Sequence, residues 1–227
     1  MAMVLDNVVP FGRSFAEYVQ MFQLGAGDLD GKLIGVGDGP ASFNAEATQQ
    51  GYNITSVDPV YQFTGDEIRS RFDVVVDSII DQIKASPQDW VWSYHQSPDQ
   101  LRASRVRTLE EFLRDYEPGR AEGRYVVGSL PQLPFLTDQF SLALCSHLLF
   151  LYSDQFDQAF HLQAIQEMLR IAPEVRIFPL LTLGLQPSPH LEQVMQNLQD
   201  LGHQAAIQPV AYELQKGGNQ MLVVRRG

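Results

Sequence analysis

Cysteine is all but missing from this chain. Cys145 is the only one among 227 residues, which excludes an internal disulfide and a cysteine-rich metal site. Set in an apolar run, it reads as a structural residue rather than a nucleophile. Positive charge is also scarce: 16 Lys and Arg stand against 27 Asp and Glu, a formal charge of −11. Phosphate backbones are held by clustered Lys and Arg, so a general nucleic-acid surface is not expected. The densest basic cluster, Arg102, Arg105 and Arg107, is offset by Asp99, Glu110 and Glu111 and reads as a solvated helix face. Long hydrophobic runs are lacking too. No stretch approaches the length of a membrane span, and Met1 to Pro10 has no basic start before its apolar residues. A cytoplasmic protein with no membrane partner is the expectation. His161, His190 and His203 form no metal-ligand spacing, so no metal is expected.

With 44% hydrophobic and 19% charged residues the composition is that of an ordinary globular protein. The length suffices for one α/β domain over residues 1–227 with a sizeable core. Ser14 and Glu17 fit a capping box, and Phe15, Tyr18, Val19 and Phe22 recur at helical spacing, which predicts a leading helix beside a cleft. Apolar runs predict strands at 32–37 and 53–58 around a helix at 41–50, a unit that implies parallel pairing with a right-handed crossover. The second half repeats the alternation: strand 140–145, helix 154–171, strand 174–181, helix 188–201. Two closing runs, 205–213 and 220–225, are joined through Gln215-Lys216-Gly217-Gly218-Asn219 and suggest an antiparallel hairpin.

The most informative stretch is Lys32-Leu33-Ile34-Gly35-Val36-Gly37-Asp38-Gly39-Pro40, followed by Ile54-Thr55-Ser56-Val57-Asp58-Pro59. A strand opening into a glycine turn and then a helix, with an acid at the tip of the next strand, is the layout of a nucleotide-cofactor site: backbone N–H groups approach the ligand, and the carboxylate accepts the ribose hydroxyls. Glycine turns also serve as plain connections, and the paired spacing favours the site. A dinucleotide fingerprint needs a third glycine, but Pro40 or Ser42 occupies that position. Asp38 would place negative charge where a pyrophosphate wants N–H donors. An acidic turn suits S-adenosylmethionine, which carries a sulfonium and an ammonium and no phosphate.

Here the sequence resembles the class I S-adenosylmethionine-dependent methyltransferases. Tyr125-Val126-Val127-Gly128-Ser129-Leu130-Pro131 looks like that family's third strand and adenine turn. The run from Phe140 to Tyr152 looks like its fourth strand and the loop facing the methyl group. The resemblance implies a Rossmann-like α/β fold: a seven-stranded, mostly parallel sheet with helices on both faces and an antiparallel C-terminal hairpin. It also implies cofactor contacts from Gly35, Gly37, Asp38, Gly39, Asp58, Pro59, Ser129, Leu130, Cys145 and Ser146. Gly35 stands where the family usually has an acid, a change for which Asp38 would compensate, and Ser129 stands where an aspartate often meets the adenine.

Residues 62–123 depart from the minimal pattern as a helical insertion between strands 2 and 3. One amphipathic helix carries Phe72, Val75, Val76, Ile79, Ile80 and Ile83; another carries Leu101, Leu109, Phe112, Leu113 and Tyr116. Between them Trp90, Trp92 and His95 would either touch substrate under a lid or form the insertion's own core, with Pro87 and Pro98 as breakers. Catalytic candidates are His147 and Tyr152 after the fourth strand; His147 would accept a proton or serve in packing. Arg13 and Tyr18 would bind the cofactor carboxylate or the substrate. The resulting expectation is methyl transfer to a small-molecule acceptor, with a protein acceptor as a variant. An NAD(P)-dependent oxidoreductase and a noncatalytic S-adenosylmethionine-binding scaffold are the alternatives. The sequence leaves the oligomeric state open.

Overall fold

Strands and helices alternate where the apolar periodicity does. The computed structural model describes residues 11–227; Met1–Pro10, the segment read for a leader, lies outside the described residues. Helix α1 (Phe15–Phe22) opens on the capping box of Ser14 and Glu17, a device worth about 1 kcal/mol. A short α2 (Ala26–Leu29) leads into β1 (Lys32–Val36), α3 (Phe43–Gln49) and β2 (Asn53–Val57). The insertion follows as two long helices, α4 (Gly65–Ala85) and α5 (Pro98–Ala121), before β3 (Tyr125–Val126). Then come β4 (Leu142–Ser146), α6 (Gln158–Ile171), β5 (Glu174–Phe178), α7 (Leu191–Asp200), β6 (Gln204–Pro209) and β7 (Gln220–Arg225).

Several boundaries move for local reasons. Pro98 does not break a helix. It is the first residue of α5, capped by Ser97, where the missing N–H is harmless. Helix α6 starts at Gln158 because the Asp157 carboxylate accepts the Phe160 N–H at 2.8 Å. Strand β5 stops at Phe178 because Pro179 cannot donate to the ladder.

The sheet runs β3-β2-β1-β4-β5-β7-β6, parallel from β3 to β5 and antiparallel in its last two pairings. β1 sends its chain outward to β2 on one side and is flanked by β4 on the other. That reversal opens a crevice at the strands' carboxyl ends, the usual ligand position in open α/β sheets. Alternating strand residues build two cores. Leu33, Ile54, Leu144 and Val223 pack with α1, α3 and the inner ends of α4 and α5; Ile34, Val36, Ala143, Cys145 and Val175 pack with α6 and α7. The insertion has a third cluster of its own, in which Phe72, Val76, Leu109, Phe112 and Tyr116 surround Tyr61 and Tyr125.

Among the described residues no helix is long and apolar enough to cross a membrane, and no group of His, Cys, Asp and Glu could hold a metal ion. The basic cluster is not a solvated face throughout. Arg102 and Arg107 remain open to solvent, but Arg105 is 1% exposed and turned inward.

Candidate functional site

The glycine turn leaves β1 with Gly37 and Gly39 at positive φ, 71° and 55°, where a side chain would be strained. A Cβ on Gly37 would also lie 2.4 Å from Leu148, whereas Gly39 has open space beside it. The Gly39 N–H donates to Asp58 Oδ2 at 2.9 Å and the Val60 N–H to Asp58 Oδ1 at 2.7 Å, which ties the first strand's turn to the second strand's tip. Tyr61 Oη closes the same corner by donating to the Gly39 carbonyl at 2.7 Å.

Gly35 lies behind this turn. A Cβ there would sit 1.9 Å from Asp38 Oδ2, so the Asp38 carboxylate fills the space that a side chain on residue 35 would take. Asp38 is 6% exposed and accepts hydrogen bonds from Tyr18 Oη and Ser56 Oγ, each at 2.6 Å. Both donors are neutral, and no cation pairs with it among the described residues. Burial pushes its carboxyl up to about 7, and the Asp58 charge adds to this. Burial likewise pushes Asp58 up to about 6, against the two backbone donors.

These residues line one cleft, together with Phe11, Arg13, Pro59, Val60, Gln62, Phe63, Arg71, Ser146 and His147. Arg13 has no carboxylate partner among the described residues. Its guanidinium donates to the Phe11 carbonyl, and its Nε is buried without a partner. Burial and the charge of Arg105 push its pKa down to about 10. Among the described residues, a cation without a carboxylate partner, the buried Asp38 and the part-buried Asp58 thus face the same space, an arrangement that suits a ligand of mixed charge.

A second cavity adjoins the first and shares Phe11, Arg13 and His147 with it. The insertion supplies Ile79, Ile83, Trp90 and Leu101; the loops after β4 and β5 supply Leu151, Tyr152 and Leu183, with Phe178 at the end of β5. Tyr212, Leu214, Gln215 and Gly218 close it from the β6–β7 connection. That connection is anchored to the insertion: the Val91 N–H donates to the Leu214 carbonyl at 2.8 Å, and the Lys216 N–H to the Asp89 carbonyl at 3.0 Å.

His147 stands between the two cavities with φ 52°, outside the usual range for a non-glycine residue. Its N–H donates to the Phe178 carbonyl, and its Nδ1 lies 2.8 Å from Ser146 Oγ. Burial, reinforced by Arg13 and Arg105, holds the imidazole well below its ordinary pKa, so it is neutral at pH 7.

Of the residues singled out from sequence, Arg13, Tyr18, Gly37, Asp38, Gly39, Asp58, Pro59, Ser146 and His147 meet in the cleft, and Trp90 and Tyr152 meet in the chamber. Others do not. Cys145 is wholly buried in the α6 core with its thiol pushed up to about 12 by burial. Ser129 is exposed and, like Leu130, lines neither cavity. Trp92 packs against the α1 core. His95 is turned away from substrate space: its Nε2 lies 3.2 Å from Glu17 Oε1 and 3.1 Å from Tyr212 Oη. Phe63 and Arg71 were not anticipated; the guanidinium stacks 3.8 Å over the ring at the Asp58 end of the cleft. Phe63 follows Asp58-Pro59 closely enough to be found by extending that motif one turn. Nothing in the sequence marks Arg71.

The strand order and the glycine turn define the class I methyltransferase fold. The mitomycin 7-O-methyltransferase MmcR superposes with a TM-score of 0.50 at 12% identity over 94% of this chain, which spans only 54% of that protein. The magnesium protoporphyrin IX methyltransferase ChlM of Synechocystis PCC 6803, solved with bound SAM, gives 0.50 at 13% identity over 93% of this chain and 77% of ChlM. At such identities the likeness is one of fold. No protein-family model matches the chain. It is 34% identical over 223 residues to the uncharacterized protein MJ0045 of Methanocaldococcus jannaschii, covering 98% of each, and it belongs to the same family.

Proposed function

We propose that the chain is an S-adenosylmethionine-dependent methyltransferase acting on a small molecule in the cytoplasm. The observation that supports it most is the charge pattern of the cleft. Among the described residues Asp38 offers a carboxylate without a cation, Arg13 a cation without a carboxylate, and Asp58 a second carboxylate at the tip of β2. These match, in turn, an ammonium, a carboxylate and a ribose diol. A pyrophosphate would instead meet two carboxylates, which weighs against a nicotinamide cofactor. Bound there, the cofactor supplies an electrophilic methyl group on a sulfonium.

The chain's own residues would then position the acceptor and exclude water. Tyr18 donates to Asp38, and Ser146 Oγ lies 2.8 Å from His147 Nδ1. With Ser146 Oγ accepting from His147 Nδ1–H, His147 Nε2 would carry the lone pair. A neutral imidazole between cofactor cleft and chamber can take the proton of a hydroxyl acceptor, which favours an enzyme over a scaffold. The insertion acts in this reading as a lid over the acceptor. The acidic composition and the apolar lining of the chamber favour a small molecule over nucleic acid or a protein side chain.

Calorimetric titration with S-adenosylmethionine, S-adenosylhomocysteine and NADH tests this. Near-stoichiometric binding of the first two alone is expected, weakened at least about tenfold by Asp58→Ala, the scale of a lost charge-assisted hydrogen bond. Binding of NADH alone, or of none of the three, would overturn it.

A further inference from the structure

The chamber beside the cleft has a chemistry of its own. Two of its aromatic walls have their polar atoms engaged elsewhere: Trp90 Nε1 donates to Ser86 Oγ at 3.2 Å, and Tyr212 Oη donates to Glu17 Oε1 at 2.9 Å. What they present inward is ring carbon, beside the aliphatic Ile79, Ile83 and Leu101. No Asp, Glu or Lys lines the chamber, and Arg13 is its only formal charge among the described residues. At its inner end stands His147, whose Nδ1 is held by Ser146 and whose Nε2 makes no hydrogen bond among the described residues.

From this juxtaposition we infer that the chamber binds an uncharged, flat, apolar molecule bearing a hydroxyl group, a phenol or enol, with that hydroxyl donating to His147 Nε2. A protonated amine is disfavoured: it would lose its hydration in an apolar space with no carboxylate to pair with, and it would face the Arg13 cation. A peptide or nucleotide would leave its many polar groups unmatched against the aromatic walls. An apolar ring with a single hydroxyl leaves nothing unpaired. That such a ligand is the methyl acceptor rests on the methyl-transfer reading; that it binds does not.

The test is calorimetric titration of the protein with three probes, 2-naphthol, 2-methoxynaphthalene and 2-naphthylmethylamine, at pH 7.5 with and without S-adenosylhomocysteine. We expect 2-naphthol to bind about fivefold more tightly than its methyl ether, the scale of one hydrogen bond, and at least about tenfold more tightly than the ammonium probe. His147→Ala should erase the preference over the ether while leaving the ether's own affinity within about twofold. Leu183→Trp, a substitution at a half-buried position on the chamber wall, should weaken 2-naphthol at least about tenfold by filling the space. The three-probe comparison on the unaltered protein stands whether or not either variant folds. Equal or tighter binding of the amine, or no saturable binding of 2-naphthol, overturns the inference. If S-adenosylhomocysteine binds and 2-naphthol does not, only the chamber assignment falls. If 2-naphthol binds and S-adenosylhomocysteine does not, the chamber assignment holds and the methyl-transfer reading falls.

Discussion

The cleft is made largely from consecutive residues at the ends of β1 and β2, and backbone N–H groups and carboxylates dominate its chemistry. The chamber beside it is made from five separated stretches of chain, and ring carbon and aliphatic side chains dominate there. The two share Phe11, Arg13 and His147. A cofactor common to many enzymes can be held by a local motif, because a turn and a strand tip fix its partners within a few residues. An acceptor particular to one family needs a shaped volume, and volume is assembled from wherever the fold brings side chains together. The comparison is broken most severely by a change that reaches both regions, and it is sharpened by changes that reach one or neither.

Glu17 reaches both. It is fully buried on α1 and accepts from Arg105 Nη1 at 2.7 Å and Nη2 at 2.6 Å, and from Tyr212 Oη at 2.9 Å, with His95 Nε2 at 3.2 Å. Burial opposes its charge, but Arg105 and the hydrogen bond from His95 outweigh burial and hold the carboxyl well below the usual range. It therefore joins the helix beside the cleft to the insertion and to the β6–β7 connection, which wall the chamber. Glu17→Gln leaves the Arg105 guanidinium buried without a counter-charge. The expected loss is about 3–5 kcal/mol of folding stability, read as a lower midpoint in urea unfolding, together with weaker binding in both cavities. An unchanged midpoint would show that the cluster does not hold the two regions together.

A pH titration separates them. Asp38, at about 7, is largely protonated at pH 6 and largely ionised at pH 8. A cationic cofactor prefers the carboxylate and must displace a proton at the lower pH. S-adenosylmethionine affinity should therefore fall roughly tenfold from pH 8 to pH 6, with Asp58, at about 6, steepening the fall at the acid end. Asp38→Asn should weaken binding at pH 8 and flatten most of the dependence. Binding of 2-naphthol should stay level over the same range, because burial keeps His147 neutral throughout. Parallel pH profiles for the two ligands would contradict the assignment of the carboxylate to one cavity alone.

The difference between the regions also explains what could be read beforehand. The parallel core, the capping box at Ser14, the glycine turn and Asp58 all follow from patterns within a few residues, and the structure has them in place. The pairing of Gly35 with Asp38 could be suspected from the sequence, and the Cβ distance shows that the two positions share one space. What misled were single residues judged by type. Arg105 sits in a run that reads as a solvated face, yet a partner 88 residues away draws it into the core. His95 has the chemistry of a substrate contact, but Glu17 and Tyr212 already occupy its Nε2. Ser129 and Leu130 were placed by resemblance in a turn that here lines neither cavity. The chamber itself was legible only in pieces: Trp90 and Tyr152 were named for different reasons, and no local pattern ties Leu183 or Leu214 to them.

Arg102 provides the smallest expected effect and the control for the largest. It precedes Arg105 by three residues on α5 and also has a carboxylate partner, with Nε donating to Asp77 Oδ1 at 2.7 Å. Here both side chains are open, 43% and 69% exposed, so water competes for each and neither has given up its hydration on folding. Arg102→Ala should change stability by less than about 0.5 kcal/mol and leave the affinities for S-adenosylmethionine and 2-naphthol unaltered. A loss comparable to that of Glu17→Gln would mean that proximity of charges, rather than burial, governs these pairs. Near neutrality would show that the same α5 surface carries one ion pair that organises both cavities and another that organises neither.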